Sequence, residues 1–301
     1  MKVSVILPIY NGGKTLARTL DSLLHQTFQD FELVTCIDGS KDNSLDIING
    51  YKNKFKKIII LENKTNLGLG PTMNRLVAYS NGEYLAVAEQ DDVYVESRLE
   101  IQVDALDTNP EFGMCSGIAE HFNYNDNIST FKFPGLLVNN ENYPKNKEDF
   151  FLLNYINGVK VVNSCMMFRK SVHIDNGLYF SKHLGSVSVD WLYVLRFLKV
   201  SNIKGINKTL VILDRTPSRT NVTSNKTNTI YNSFELLRMV RFEEPLLITK
   251  KIYKKAHTFQ NRLEFGHLNN FNKVIRLFIF PLDVKFKLEY LVKMVFRKFK
   301  K

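Results

Sequence analysis

The stretch "YLAVAEQDDVY", residues 84–94, leaves a short apolar run and places Glu89, Asp91 and Asp92 within four positions. Carboxylates packed so closely repel one another at neutral pH. A hard divalent cation taking oxygen ligands is the simplest way to keep them ionised. Mg²⁺ or Mn²⁺ typically uses one or two protein carboxylates and completes its shell with water and substrate phosphates. A cation bridging a diphosphate also improves that leaving group by neutralising its developing charge. A competing account makes these residues acids at the N-terminus of a helix over 96–108, where they would complement its dipole. That would explain Asp92 or Glu96 but not Glu89, which falls within the strand pattern.

The elements that must position this chemistry alternate along the first 110 residues. "KVSVILPIY" (2–10), "FELVTCID" (31–38), "KIIILEN" (57–63) and "EYLAVAEQ" (83–90) read as strands. Between them, Leu16, Leu20, Leu23 and Leu24 recur at helical spacing, "SLDIINGYKNKF" forms a second helix, and "PTMNRLVAYSNG" has Pro71 near its start and Gly82 beyond its end. Such alternation predicts a largely parallel sheet with right-handed crossovers and helices on both faces. The middle is less regular. Residues 121–145, rich in Asn, Tyr and Pro, read as an insertion or loop; 161–170 and 208–214 read as strands and 189–200 as a helix.

Open parallel sheets bind ligands beyond the carboxyl ends of their strands. Those ends here read Tyr10-Asn11-Gly12-Gly13, Asp38-Gly39-Ser40, Asn66-Leu67-Gly68-Leu69-Gly70 and Glu89-Gln90-Asp91-Asp92. Neighbouring strands lie about 4.8 Å apart, so the four ends can line one cleft. Taken singly, each has a plainer reading: Asp38-Gly39 as a turn, the glycines as loop or helix-entry residues, Tyr10 as packing rather than a platform for a nucleobase. No P-loop or GxGxxG pattern stands at the first strand, which disfavours NTPases and dinucleotide oxidoreductases.

Bulk properties narrow the class further. A 301-residue chain with 44% apolar and 24% charged residues has the composition of a globular protein. Cys36, Cys115 and Cys165 have no metal-ligand spacing and fit a reduced, cytoplasmic compartment. No apolar run approaches the ~20 residues that span a bilayer. The net charge of +11 is carried by residues 246–301, with 14 Lys/Arg against 3 Asp/Glu; the rest holds 27 of each sign.

In order, "VSVILPIYNGGKTLARTLDSLLHQTFQDFELVTCIDGSKDNS", "NLGLGPTMNRLVAYSNGEYLAVAEQDD" and "RLEIQ" resemble the family 2 glycosyltransferases of GT-A fold, closely over residues 1–115 and loosely to about 220. The resemblance implies an α/β, Rossmann-like fold and an inverting, metal-assisted transfer of sugar from a nucleotide-diphosphate sugar to a hydroxyl of a saccharide or lipid-linked saccharide, as in cell-envelope polysaccharide synthesis. It divides the chain into a catalytic domain, 1–228, and a helical extension, 229–301. Within the domain, 1–115 is the donor half and 116–228 the acceptor half. It puts Pro8, Tyr10 and Asn11 at the nucleotide, Asp38 at the base, and Asn66, Gly68, Asn74 and Gln90 along the donor. The family's aspartate–x–aspartate motif falls on Glu89-Gln90-Asp91, making Asp91 and Glu89 metal ligands for Mg²⁺ or Mn²⁺. The family's catalytic base falls on Asp190, whose residue type equally suits a helix N-cap. Trp191 beside it suits either a sugar platform or the core.

Three positions depart from the family pattern. Ile37 replaces a first aspartate, Glu89 replaces the usual aspartate of the metal motif, and Arg215 stands near a position where relatives often carry histidine, so Arg215 becomes a candidate to hold the diphosphate.

In "PLDVKFKLEYLVKMVFRKFKK" apolar residues recur at helical spacing among lysines. Residues 283–301 thus read either as an interfacial helix attracted to an anionic membrane, placing the protein at the inner face, or as a packing helix with a solvated charged face. No motif for nucleic acid accompanies the charge. Two other functions fit less well: a sugar nucleotidyltransferase, which needs a basic triphosphate loop at the first strand, and a catalytically degenerate nucleotide-sugar-binding or scaffold protein.

Overall fold

The structure is a computed structural model that describes residues 1–137, 143–182, 188–216 and 226–267. It divides into two compact units, one of residues 1–154 and 159–222, the other of residues 155–158 and 223–301. The first opens as expected: β1 (Val3–Ile9), α1 (Leu16–Leu24), β2 (Phe31–Asp38), α2 (Ser44–Gly50), β3 (Ile58–Asn63), α3 (Leu69–Tyr79) and β4 (Tyr84–Val87). These four strands pair in parallel in the order β3-β2-β1-β4. Val3, Val5, Leu7 and Ile9 enter a core with Leu16, Leu20 and Leu23, while Ile6 is buried as well. Burial on both faces is why these strands read as continuous apolar runs.

The sequence pattern then diverges from the fold. β4 stops at Val87, so Glu89 lies beyond the strand and not within it. Asp92 belongs to a short strand, β5 (Asp92–Tyr94), ahead of α4 (Arg98–Asp107), so it is not one of that helix's N-terminal acids. Part of the segment read as a loop is sheet: β6 (Phe112–Asn123) and β7 (Ile128–Phe133) form an antiparallel ribbon. Its polar, exposed β7 has no buried face to write an alternation into the sequence. After α5 (Lys147–Asn157), the stretch at 161–170 is a single 3₁₀ turn, Asn163–Cys165, and a three-residue strand, β8 (Met167–Arg169), followed by α6 (Lys170–Asp175). α7 (Val189–Val200) has the expected bounds, and β9 (Asn202–Asp214) starts six residues before the expected strand.

Among the described residues the sheet order is β3-β2-β1-β4-β8-β6-β9-β5, with β7 on β6. β8 pairs antiparallel with β4 and β6, β9 runs parallel to β6, and β5 is antiparallel to β9. This return brings β5 beside the last strand and fixes the acidic loop between the two halves of the sheet. The second unit contains α8 (Lys226–Glu243) and α9 (Lys250–His267). The basic segment 283–301 lies outside the described residues. Among those described, no helix is long and apolar enough to cross a membrane.

Candidate active site

The acidic loop is built from its backbone outward. Tyr94 on β5 turns its phenol back onto the peptide of Glu89, accepting its N–H at 2.6 Å and donating to its carbonyl at 3.3 Å. Buried Arg98 lies 4.5 Å from the Tyr94 ring and donates to the carbonyl of Val87, the last residue of β4. On the far side, Thr19 donates to the carbonyl of Asp92, and Arg18 donates to that of Asp91 at 3.4 Å while pairing with Asp214 at 2.8 Å. The loop is therefore held by four side chains from three elements, α1, β5 and α4.

These restraints force the carboxylates together: oxygens of Glu89, Asp91 and Asp92 all lie within 4.8 Å of one another. Burial, then the charge of Asp91, push Glu89 up to about 7, although a hydrogen bond from Asn163 (2.7 Å) opposes them. Burial and the charges of Glu89 and Asp91 push Asp92 well above the usual carboxylate range against a 2.5 Å bond from Ser164. Crowded, partly desolvated hard oxygens are the donor set that a small divalent cation selects, and the residues fit that group.

Two side-chain amides fasten distant backbone segments nearby. Gln90 accepts the Tyr10 N–H at 2.8 Å and donates to the Tyr10 carbonyl at 2.9 Å. It lies so close to Gly12 that a Cβ there would sit 2.6 Å from its Oε1. Asn74 grips Phe180 in the same way, at 2.9 and 2.8 Å. The structure thus spends both amides on backbone. Asp38 is buried and accepts from Asn63 (2.7 Å), Leu67 N–H (2.9 Å) and Gly68 N–H (3.0 Å), which ties β2 to the loop over Asn66 and Gly68. A carboxylate offers about four acceptor sites, so a further donor can still be met. Gly39 (φ 64°) runs against that same loop, where a Cβ would lie 2.4 Å from the Asn66 nitrogen. Asn11 (φ 50°) accepts from Lys41 N–H, Pro8 falls past the last β1–β4 register pair, and Tyr10 is half exposed at the rim. Ile37 is core.

Asp190 comes from α7, about 100 positions along the chain, yet its charge acts on Glu89. Ser188, and not Asp190, occupies the cap position, so Asp190 sits in the first turn, where an acid complements the helix dipole. Burial raises its carboxyl despite the backbone amides of Trp191 and Asp190. Trp191 is core, donating to the carbonyl of Asn154. Arg215 acts electrostatically on Glu89 and Asp92. Sequence reading missed Arg18, Tyr94, Asn163 and Ser164 as supports of the loop. Asn163 and Ser164 lie 74 and 72 residues from their partners, with no local signal to mark them.

A parallel sheet ending in polar loops, joined to a mixed half at a carboxylate cluster, is the GT-A architecture. Comparison with known proteins agrees. The family described as glycosyl transferase family 2 matches residues 4–177, more than half of the chain, and the chain belongs to that family. The putative glycosyltransferase EpsE of Bacillus subtilis is 37% identical over 37% of this chain and 40% of its own length, so the chain matches less than half of that relative. An Escherichia coli protein, the UDP-Glc:α-D-GlcNAc-diphosphoundecaprenol β-1,3-glucosyltransferase WfgD, is 25% identical over 78% of this chain and 85% of its own. Among solved structures, S. aureus TarS 1–349 in complex with UDP-GlcNAc has a TM-score of 0.69 at 20% identity, covering 89% of this chain and 73% of that one. A mannosyltransferase of Pyrobaculum calidifontis in complex with GDP-Man and Mn²⁺ has a TM-score of 0.56 at 13% identity, covering 89% and 76%.

Proposed function

We propose that this glycosyltransferase moves a sugar from a nucleotide-diphosphate sugar, with inversion, to a hydroxyl of a saccharide or lipid-linked saccharide. The observation that carries this reading is the convergence of Glu89, Asp91 and Asp92 at the sheet's carboxyl edge with Asp190 electrostatically adjacent. The named donor and acceptor of WfgD, and the nucleotide sugars bound by TarS and the mannosyltransferase, support the substrate classes. Asp91 and Glu89, with Asp92 behind them, would hold Mg²⁺ or Mn²⁺. When bound, that ion supplies charge neutralisation for the departing diphosphate.

The chain's own residues do the rest. Asn11, with the loop that Asp38 anchors, frames the nucleotide, and Tyr10 offers a half-exposed ring at the rim. Asp190 accepts the proton of the acceptor hydroxyl as its oxygen forms a bond to the anomeric carbon. The bond from that carbon to the diphosphate oxygen breaks on the opposite side, which inverts the centre. Burial raises the basicity that Asp190 needs for this task. Arg215 stands ready to pair with the leaving diphosphate. A donor screen scoring divalent-dependent hydrolysis of UDP- and GDP-sugars tests the reading. Wild type should turn over at least one donor and lose that activity in chelator, and Asp91→Ala should lose it in excess Mn²⁺. Full activity in chelator and in the variant would refute it.

A further inference from the structure

The β6–β7 ribbon, which the proposed chemistry does not use, carries an aromatic ladder. The rings of His121 and Phe131 meet edge-on at 5.3 Å, and Phe133 follows at 6.4 Å from Phe131. Phe131 is 54% exposed, and its two neighbours are half-buried. Strand register connects this ladder to the acidic cluster. Phe131 is opposite His121, His121 is beside Leu213, and Leu213 is opposite Asp92. Cross-strand partners share a face, so Phe131, His121, Leu213 and Asp92 form one row across four strands. Three strand spacings put Phe131 roughly 14 Å from Asp92 and His121 roughly 10 Å. Along the row, exposure rises from the buried carboxylate to the open ring.

Electrostatics give an independent link. Arg215 lowers the carboxyl groups of Glu89 and Asp92 and also pushes the His121 imidazole below its ordinary value, beyond what burial does. One guanidinium therefore feels both the cluster and the inner end of the ladder.

We propose that His121, Phe131 and Phe133 form the platform on which the acceptor saccharide stacks. Resting on the transferase reading above, it assigns the acceptor side of the same site. A pyranose ring is about as long as one strand spacing and presents an apolar face of C–H bonds to an aromatic ring. The ladder then sits two to three sugar units outward from the acidic cluster, so it binds the body of an oligosaccharide and leaves the reacting hydroxyl to Asp190. Among the described residues β7 pairs with β6 alone and is polar and exposed, so the open ring of Phe131 suits stacking on a sugar.

Saturation-transfer NMR with cellotetraose and chitotetraose tests the platform, with glycerol as the polyol control and UDP-GlcNAc titration run in parallel. Wild type should receive saturation at sugar ring protons from aromatic protons. Phe131→Ala should weaken saccharide binding tenfold or more, Phe131→Trp should retain it, and both should bind and hydrolyse donor as wild type does. His121→Ala, on the neighbouring strand, should weaken it less. Tetrasaccharides ignored by wild type, or bound equally by Phe131→Ala, would overturn the platform while intact donor binding left the transferase reading standing. Loss of donor turnover in wild type would instead sink that reading. A dimer in solution that Phe131→Ala dissociates would assign the ladder to a second copy and also overturn the proposal.

Discussion

The two halves of the sheet meet the site in opposite ways. In the parallel half, each contribution is a strand end followed by a polar loop, and the loops are fastened to one another by backbone contacts: Asp38 to Leu67 and Gly68, Gln90 to Tyr10. In the mixed half, contributions come from a helix turn and a 3₁₀ turn far apart in sequence, and they act through buried side chains: Asn163 on Glu89, Ser164 on Asp92, Asp190 by its charge. The first half shapes a binding surface. The second sets the protonation of the groups that work on it.

Breaking each half in its own manner should separate the two. The largest effect belongs to Asp190→Asn, which keeps the helix turn but removes the basic oxygen. Transfer should fall ~10²- to 10⁴-fold in kcat, the range of general-base catalysis, with donor affinity unchanged. Near-normal turnover would reassign the base. Next is Gly39→Ala. The left-handed backbone and the 2.4 Å approach to Asn66 both oppose a Cβ, so denaturant midpoints should show a loss of roughly 3 kcal/mol or more, with weaker donor binding. Gly135→Ala provides the comparison in the other half. Its φ is also positive, at 65°, but the nearest atom is 3.7 Å away, so the loss should be only about 1 kcal/mol.

A pH prediction sharpens the contrast. His173 is buried with its Nδ1 2.8 Å from the Tyr193 hydroxyl and its ring stacked with Phe168 and Phe180; burial pushes it down to about 4. The folded state therefore prefers the neutral ring, and its stabilisation is complete above pH 6.5 and is lost as pH falls toward 4. The loss amounts to about 3 kcal/mol from a shift of that size. His173→Phe should flatten the acid limb of a stability-versus-pH curve. An unchanged limb would show that another group drives it.

The same contrast decides what the sequence made legible. β1, β2 and β3 could be read within a residue or two because burial on both faces writes them as apolar runs, and α7 because Gly-free helical patterning spans it. β7 could not be read, since all but its last residue are exposed, and β8 has three residues, too few for any period. The strand-end loops were visible as residue types. Their internal bonds were not: Gln90 and Asn74 each bond a distant backbone segment, 80 and 106 residues away. Asp92 looked like a helix acid because β5 exists only through its pairing with β9, more than 100 residues later.

The account rests on the carboxylate cluster holding a cation together with a diphosphate. Calorimetric titration of Mn²⁺ into the protein, with and without UDP, tests this most directly. Binding should tighten at least tenfold when UDP is present, and Asp91→Ala should abolish that gain. Mn²⁺ binding that ignores UDP, or that survives unchanged in Asp91→Ala, would contradict it.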